Sequence, residues 1–409
     1  MPHADSLILT LVGGFVLAFV FGMLANRLKL SPLVGYLLAG VAVGPHTIGF
    51  VADVELAPQL AEIGVILLMF GVGLHFSLTD LMRVRRIALP GAVVQIAAAT
   101  VLGWILGLGL LGLGHVEALL LGFALATAST VVLLRAIEER RQLKTDIGRI
   151  AVGWLIVEDL VIVVALVMLP LLIIPEGAAP DLSTLAASIG WTLLKVGLFV
   201  GLMIVVGGRV LPWLLVRIAH TRSRELFTLG VLSIALGIAW IAYAVFGASF
   251  ALGAFVAGVV LNGTPLGHNA AERSLPLRDA FAVLFFVSVG MLFDPSILVR
   301  EPWAVLGVLA IVILGKTLAA LAITTVFRLD RASSLTIAAS LAQIGEFSFI
   351  LAALCVSLGA MSRETHDLIL AAALLSISLN PFVFAFIDRI GAKPKTPPRG
   401  EGVPVSELI

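Results

Sequence analysis

Charge is scarce in this chain. Only 12% of its 409 residues are charged and 60% are hydrophobic, whereas a soluble domain carries about 25% charged and 45–50% apolar residues. The mean hydropathy of +1.14 is that of a membrane protein. It argues against a water-soluble enzyme, a nucleic-acid binder and a disordered regulator. A formal net charge of +1 leaves no basic stripe for nucleic acid. Cysteine is almost absent: with Cys355 alone, there is no intramolecular disulfide framework and no Cys-based zinc or iron–sulfur site. Lying in FILAALCVSLG, that thiol reads as buried and inert. The seven histidines include no pair at metal-ligand spacing on a shared helix. Ser and His residues lack a nucleophile-elbow context, so no enzymatic set is expected and no resident cofactor.

What is abundant is apolar sequence. A spanning helix needs about 20 apolar residues. Cutting at charges, prolines and polar clusters gives thirteen segments, near 6–25, 32–49, 56–75, 87–112, 116–137, 147–173, 184–208, 224–245, 248–263, 278–293, 302–327, 333–358 and 364–388. The first has no positively charged n-region and further spans follow at once, so it reads as a span rather than a signal peptide. Of the 26 Lys and Arg residues, 22 fall in alternate loops and the C-terminal tail. The other loops hold only Arg300 and Arg363. By the positive-inside rule this predicts thirteen spans with the N-terminus outside and the C-terminus in the cytoplasm. Residues 391–409, GAKPKTPPRGEGVPVSELI, read as a flexible cytoplasmic linker. Either the protein stops there or a cytoplasmic domain follows.

Ionisable groups at bilayer depth cost about 2.5–3.5 kcal/mol each on insertion scales, so they are the default candidates for a site. They are Glu62, Glu158, Asp159, Lys195, Lys316 and Glu346. Glu158 and Asp159 are adjacent, near mid-depth of the sixth segment. Neighbours on a helix point about 100° apart, so one acid can face a cavity while the other faces a helix. A carboxylate there holds a proton or a monovalent cation but not both, which is the core of ion–proton exchange. Lys316, deep in segment eleven, is expected to pair with Glu158 or Asp159, either in a bond that breaks during transport or in a fixed structural pair. Lys195 can snorkel or bind a lipid, and Glu62 reads as an interfacial acid.

Two segments look interrupted. Thr127, Ser129 and Thr130 cluster mid-way along segment five; Gln343, Gly345, Glu346 and Ser348 do so in segment twelve. Corresponding broken helices in two halves point to a transporter site. Ser129 and Gln343 are 214 positions apart, and the same offset relates segments four to six to segments eleven to thirteen with opposite orientation. That is the pattern of an inverted repeat. Polar residues also occur in unbroken helices, and Glu346 reads as a group that offsets half-helix dipoles or gates access. The glycine-rich runs GVGLH, LGWILGLGLLGLG and ALGAFVAGVVLNG read as close helix packing.

Six stretches together carry a resemblance: LSPLVGYLLAGVAVGP, LAEIGVILLMFGVGL, ATASTVV, VEDL, FFVSVGMLFD and LAQIGEFSFIL. Over about residues 5–390 the chain resembles the membrane domain of bacterial Kef-type and Nap-type monovalent cation:proton antiporters, and within them the YbaL-like Kef subgroup, which shares the Glu–Asp pair. The resemblance implies an all-α polytopic membrane protein of the inner membrane, with an inverted-repeat antiporter fold and two crossed discontinuous helices. It implies a homodimer with core helices at about 87–173 and 302–388, the remaining helices of the 1–390 transmembrane domain forming a scaffold. Transport would be elevator-type. The family's ion-binding aspartate maps to Asp159, which would bind K+ or Na+. The Nap-type lysine matches Lys316, and Thr127, Ser129 and Thr130 would complete the cation shell. At the preceding position Nap-type proteins have Asp and Kef-type proteins Gln, so Glu158 matches neither. GHNAAERSLPLRDAF stands where Kef proteins carry a regulatory cytoplasmic loop, without its acidic sequence. A nucleotide-binding regulatory domain or subunit is the implied partner if the chain is truncated. The expected activity is K+-favoured, Na+-possible exchange against protons. The rivals are a ligand-gated K+ efflux channel on the same site and a sodium:organic-anion symporter, against which the titratable pair argues.

Overall fold

A computed structural model describes residues 2–28, 30–47, 56–75, 78–143, 145–173, 182–264 and 266–390. Among these the chain is helical, without strands. The helices are α1 (Pro2–Arg27), α2 (Pro32–Val43), α3 (Leu56–His75), α4 (Leu78–Gly109), α5 (His115–Leu125), α6 (Thr130–Glu139), α7 (Asp146–Leu172), α8 (Leu182–Leu202), α9 (Gly208–Ala219), α10 (Arg224–Phe246), α11 (Phe250–Asn262) and α12 (Gly267–Leu292). The short α13 (Ile297–Arg300) leads to α14 (Pro302–Ala310), α15 (Lys316–Val326), α16 (Arg331–Leu341), α17 (Glu346–Ser357) and α18 (Arg363–Ile390). Single π-turns, Met203–Gly207 and Ile311–Gly315, join α8 to α9 and α14 to α15. The expected linker at 391–409 lies outside the described residues.

Among the described residues, seven stretches are long and apolar enough to cross a membrane: Ile8–Arg27, Met82–Gly109, Asp146–Pro170, Leu194–Ala219, Arg224–Phe246, Pro302–Val326 and Arg363–Ile390. Shorter apolar helices lie among them. Their outward faces are as apolar as their inward ones: α10 buries Val231, Ile234 and Ile238 yet exposes Leu229, Trp240 and Val245. A helix apolar all round belongs in lipid.

The described residues form two compact units. One spans Met1–Leu24, Gly35–Ser77 and Val163–Phe293; the other spans Ala25–Val34, Leu78–Ile162 and Asp294–Ile409. In the first, α3 packs on α11 and α12 through missing side chains. A Cβ on Gly73 would lie 2.2 Å from the Phe255 carbonyl oxygen, and one on Gly258 2.3 Å from that of Phe70. The GVGLH and ALGAFVAGVV runs therefore do serve close packing. Ser223 and Ser249 cap α10 and α11 by accepting from Leu226 N and Leu252 N, both at 3.2 Å.

Several expected boundaries move. The stretch GHNAAERSLPLRDAF, assigned above to a loop position, is helical and continuous with the next apolar run in α12, Pro276 included. The seventh segment, expected to end near 208, carries its helix through the π-turn to Ala219. The fourth begins at Leu78 rather than 87. Each of these additions is rich in Arg or Pro, residues at which an apolar run ends. The helices continue because a charged turn beyond the apolar core still makes its backbone hydrogen bonds.

The second unit holds both interruptions. α5 stops at Leu125 and α6 starts at Thr130; α16 stops at Leu341 and α17 starts at Glu346. α4 packs on α5 at glycine, where a Cβ on Gly122 would lie 2.3 Å from the Thr100 carbonyl oxygen.

Candidate functional site

A broken helix leaves backbone amides and carbonyls without partners, and at membrane depth each must find one inside the protein. The two breaks supply part of the answer to each other. Gly345 N donates to the Thr127 carbonyl oxygen at 3.2 Å. Ser129 N donates to Gln343 Oε1 at 2.9 Å, and Gln343 Nε2 returns a bond to the Ser129 carbonyl at 3.2 Å. The residues paired by the 214-position offset thus bond each other reciprocally. The Thr127 and Ser348 hydroxyls meet at 2.8 Å, and the Ser348 hydroxyl also donates to the Ala124 carbonyl at 2.5 Å. The contact is backbone to backbone: a Cβ on Gly345 would lie 2.5 Å from the Ala128 carbonyl oxygen, so glycine is required there.

The charged groups complete the accounting. Lys316 is 1% exposed and follows the π-turn Ile311–Gly315, an element often found at functional sites. Its ammonium donates to the carbonyls of Thr127 and Gln343, both at 2.9 Å. These carbonyls lie just past the C-terminal ends of α5 and α16, where helix dipoles favour positive charge. Glu158 is fully buried. One of its carboxylate oxygens accepts from Ala128 N at 3.0 Å, near the N-terminus of α6, and the other from Gln95 Nε2. Glu158 and Lys316 thus bond the amide and the carbonyl of one peptide unit, Thr127–Ala128, so the two opposite charges lie across it from each other.

Asp159, 4% exposed, accepts from the Thr130 hydroxyl at 3.0 Å. The expected shell residues therefore divide. Thr130 touches the aspartate, the Ser129 hydroxyl is engaged as the α6 cap to Val132 N at 3.3 Å, and the Thr127 hydroxyl faces Ser348. Gln343 and Gly345 lie in the second break. Glu346 opens α17, and its side chain lies outside the described residues. Among the other membrane charges, Lys195 stands 5.6 Å over the Trp191 ring and Glu62 is exposed. Cys355 is a buried free thiol.

Gln95 carries no charge and lies outside the two polar clusters, so the sequence does not mark it as a site residue. A search for any polar side chain inside an apolar run would have found Gln95, which is completely buried. Its place follows from helix spacing. Gly91 and Gln95 share one face of α4, and Trp154 and Glu158 share one face of α7. A Cβ on Gly91 would lie 2.3 Å from the Trp154 ring, so the absent side chain seats the indole and the amide one turn on reaches the carboxylate. Among the described residues no cluster of His, Cys, Asp and Glu is arranged for a metal ion.

Broken helices joined by buried charges in a multi-pass helical chain define a membrane transporter. The chain belongs to the sodium/hydrogen exchanger transmembrane family, whose model matches residues 15–388. It is 58% identical over 397 residues to the candidate cation/proton antiporter YbaL of Escherichia coli (strain K12), covering 97% of this chain and 71% of that protein. It is 32% identical to K(+) efflux antiporter 4 of Arabidopsis thaliana, covering 88% of this chain and 60% of that one. The fold is that of the sodium proton antiporter MjNhaP1 of Methanocaldococcus jannaschii, with a TM-score of 0.69 at 16% identity over 93% of this chain and 98% of that chain.

Proposed function

We propose that this chain exchanges a monovalent cation for protons, with Asp159 as the carrier group. The observation that supports this most directly is the division of labour between the two adjacent acids. Glu158 spends its two carboxylate oxygens on Gln95 and Ala128 N, across one peptide unit from the Lys316 ammonium. Asp159 accepts from the Thr130 hydroxyl, a group that donates to a carboxylate and can also turn its oxygen to a cation. Oxygen donors suit hard cations. A proton on Asp159 removes the charge that holds the cation, and a cation removes the site for the proton.

K+ is the favoured cargo and Na+ the alternative; the name of the Arabidopsis relative supports K+. Cation-loaded and protonated forms alternate in an elevator-type cycle within a homodimer. The thirteen-span topology has crossed broken helices, an outside N-terminus and a C-terminus in the cytoplasm of a bacterial inner membrane. The alternation of Lys and Arg between loops supports that orientation.

The test is proton flux in proteoliposomes under an imposed pH gradient, with K+, Na+ and Li+ added in turn. Wild type should move protons when its cation is supplied, and Asp159→Asn should not. Cation flux without linked proton movement would overturn exchange in favour of an ion channel.

A further inference from the structure

The bonds between the two breaks leave part of the second break unaccounted for. Between Leu341 and Glu346, the Gln343 amide turns back to the Leu341 carbonyl at 2.9 Å and the Gly345 amide crosses to Thr127. The Ile344 amide has neither option. It donates instead to the Ser376 hydroxyl oxygen of α18 at 3.2 Å. On the other side of the break, the Ala339 carbonyl in the last turn of α16 accepts from Asn380 Nδ2 at 2.9 Å. Ser376 is completely buried and Asn380 is 3% exposed. They are four residues apart, so they stand one turn apart on one face of α18. One face of one helix thus supplies both an acceptor for a stranded amide and a donor to a helix-end carbonyl.

We propose that Ser376 and Asn380 are positioning residues for the exchange: they brace the second break and thereby set the geometry of the cation site. The inference rests on the antiport function proposed above. The bonded chain is short. Between the two braced positions lies Gln343. Its carbonyl oxygen holds Lys316, and its side chain holds the backbone of Ser129. Ser129 caps α6, whose first residue, Thr130, meets Asp159. A shift of the second break therefore moves both the Lys316 ammonium and the Thr130 hydroxyl that meets Asp159. Asn380 also lines a cavity of about 410 Å³, with Ser31, Arg140 and Pro381 among its other walls. That space admits a longer amide, so Asn380→Gln can keep the donor.

The experiment has three arms on the full chain. Hydrogen exchange over residues 339–348 should speed up at least tenfold in Ser376→Ala, where the Ile344 amide loses its acceptor, and in Asn380→Leu, where the Ala339 carbonyl keeps only the Ala342 amide at 3.3 Å. Ser376→Thr and Asn380→Gln should keep wild-type protection. In proteoliposomes the two disruptive variants should raise the apparent KM for the cation by about tenfold. They should also change the order of preference among Li+, Na+ and K+, with the maximal rate within about twofold of wild type. A purely structural role would lower folded yield and leave KM and selectivity alone. Unchanged exchange over 339–348 overturns the brace. Faster exchange with unchanged KM and selectivity overturns its part in transport. Asp159→Asn is carried alongside: if it still couples cation to proton movement, the antiport assignment of Asp159 fails, whatever Ser376 and Asn380 do.

Discussion

At the scale of single residues, the adjacent acids are chemically similar and structurally distinct. Glu158 and Lys316 act as caps, one for an amide at the start of α6 and one for carbonyls past the ends of α5 and α16. Each therefore stabilises the backbone it touches and offsets the other's buried charge. Breaking such a pair from one side strands a charge in a dry interior and typically costs roughly 3–5 kcal/mol, whereas replacing both partners costs far less. Glu158→Gln and Lys316→Met should each lower the unfolding midpoint in detergent. The double variant should be more stable than the sum of the two changes by on the order of 1 kcal/mol or more. Strict additivity in that cycle would show that the two charges do not support each other. The acids and the lysine were legible in the sequence because charge in an apolar run is conspicuous. That Lys316 bonds the carbonyl and Glu158 the amide of one peptide unit was not, because spacing along helices does not fix which groups meet across them. Gln95 escaped for a different reason: an uncharged amide costs less to bury, so it stands out less, yet it bonds Glu158.

At the scale of elements, the breaks hold their shape by touching. Gly345 makes that contact possible, with the Ala128 carbonyl carbon 2.7 Å from where its Cβ would be. Both positions belong to backbone, so neither can swing aside. Gly345→Ala should cut exchange by more than tenfold and lower thermal stability, in line with the cost of overpacking, about 1–3 kcal/mol or more. Gly237 is the control. It lies inside α10 with nothing within 4 Å of its absent Cβ, and Gly237→Ala should leave transport intact and gain about 0.5–1 kcal/mol from helix propensity. Equal effects at the two sites would remove close approach as the reason for glycine at 345. Both interruptions were legible from their polar clusters, since Thr, Ser and Gln in an apolar run compete with the helix for backbone bonds. The extensions of α4, α9 and α12 were not. There, arginines and prolines mark where the apolar run stops, which is a different place from where the helix stops.

At the scale of the molecule, the proposed exchange, with one carboxylate holding either proton or cation, would make cation affinity a function of pH. The sign follows from competition. A proton on Asp159 displaces the cation, so the apparent KM for the cation rises as pH falls and levels off once the group is deprotonated. The steepness counts protons, because the slope of a binding free energy against pH equals the number of protons released on binding. If Asp159 alone exchanges, KM should rise by at most about tenfold per pH unit. If Glu158 also titrates in the same cycle, the two acids behave as a coupled pair and the limit approaches about a hundredfold per unit. The geometry favours the shallower slope, since both oxygens of Glu158 are engaged by donors that belong to the fold. Measuring initial rates against cation concentration at several pH values, with the same pH on both faces of the vesicle, separates the cases. Glu158→Gln should leave a shallow slope unchanged and would flatten a steep one. A KM that does not move with pH would mean that proton and cation do not share Asp159, and the exchange would then need two separate sites.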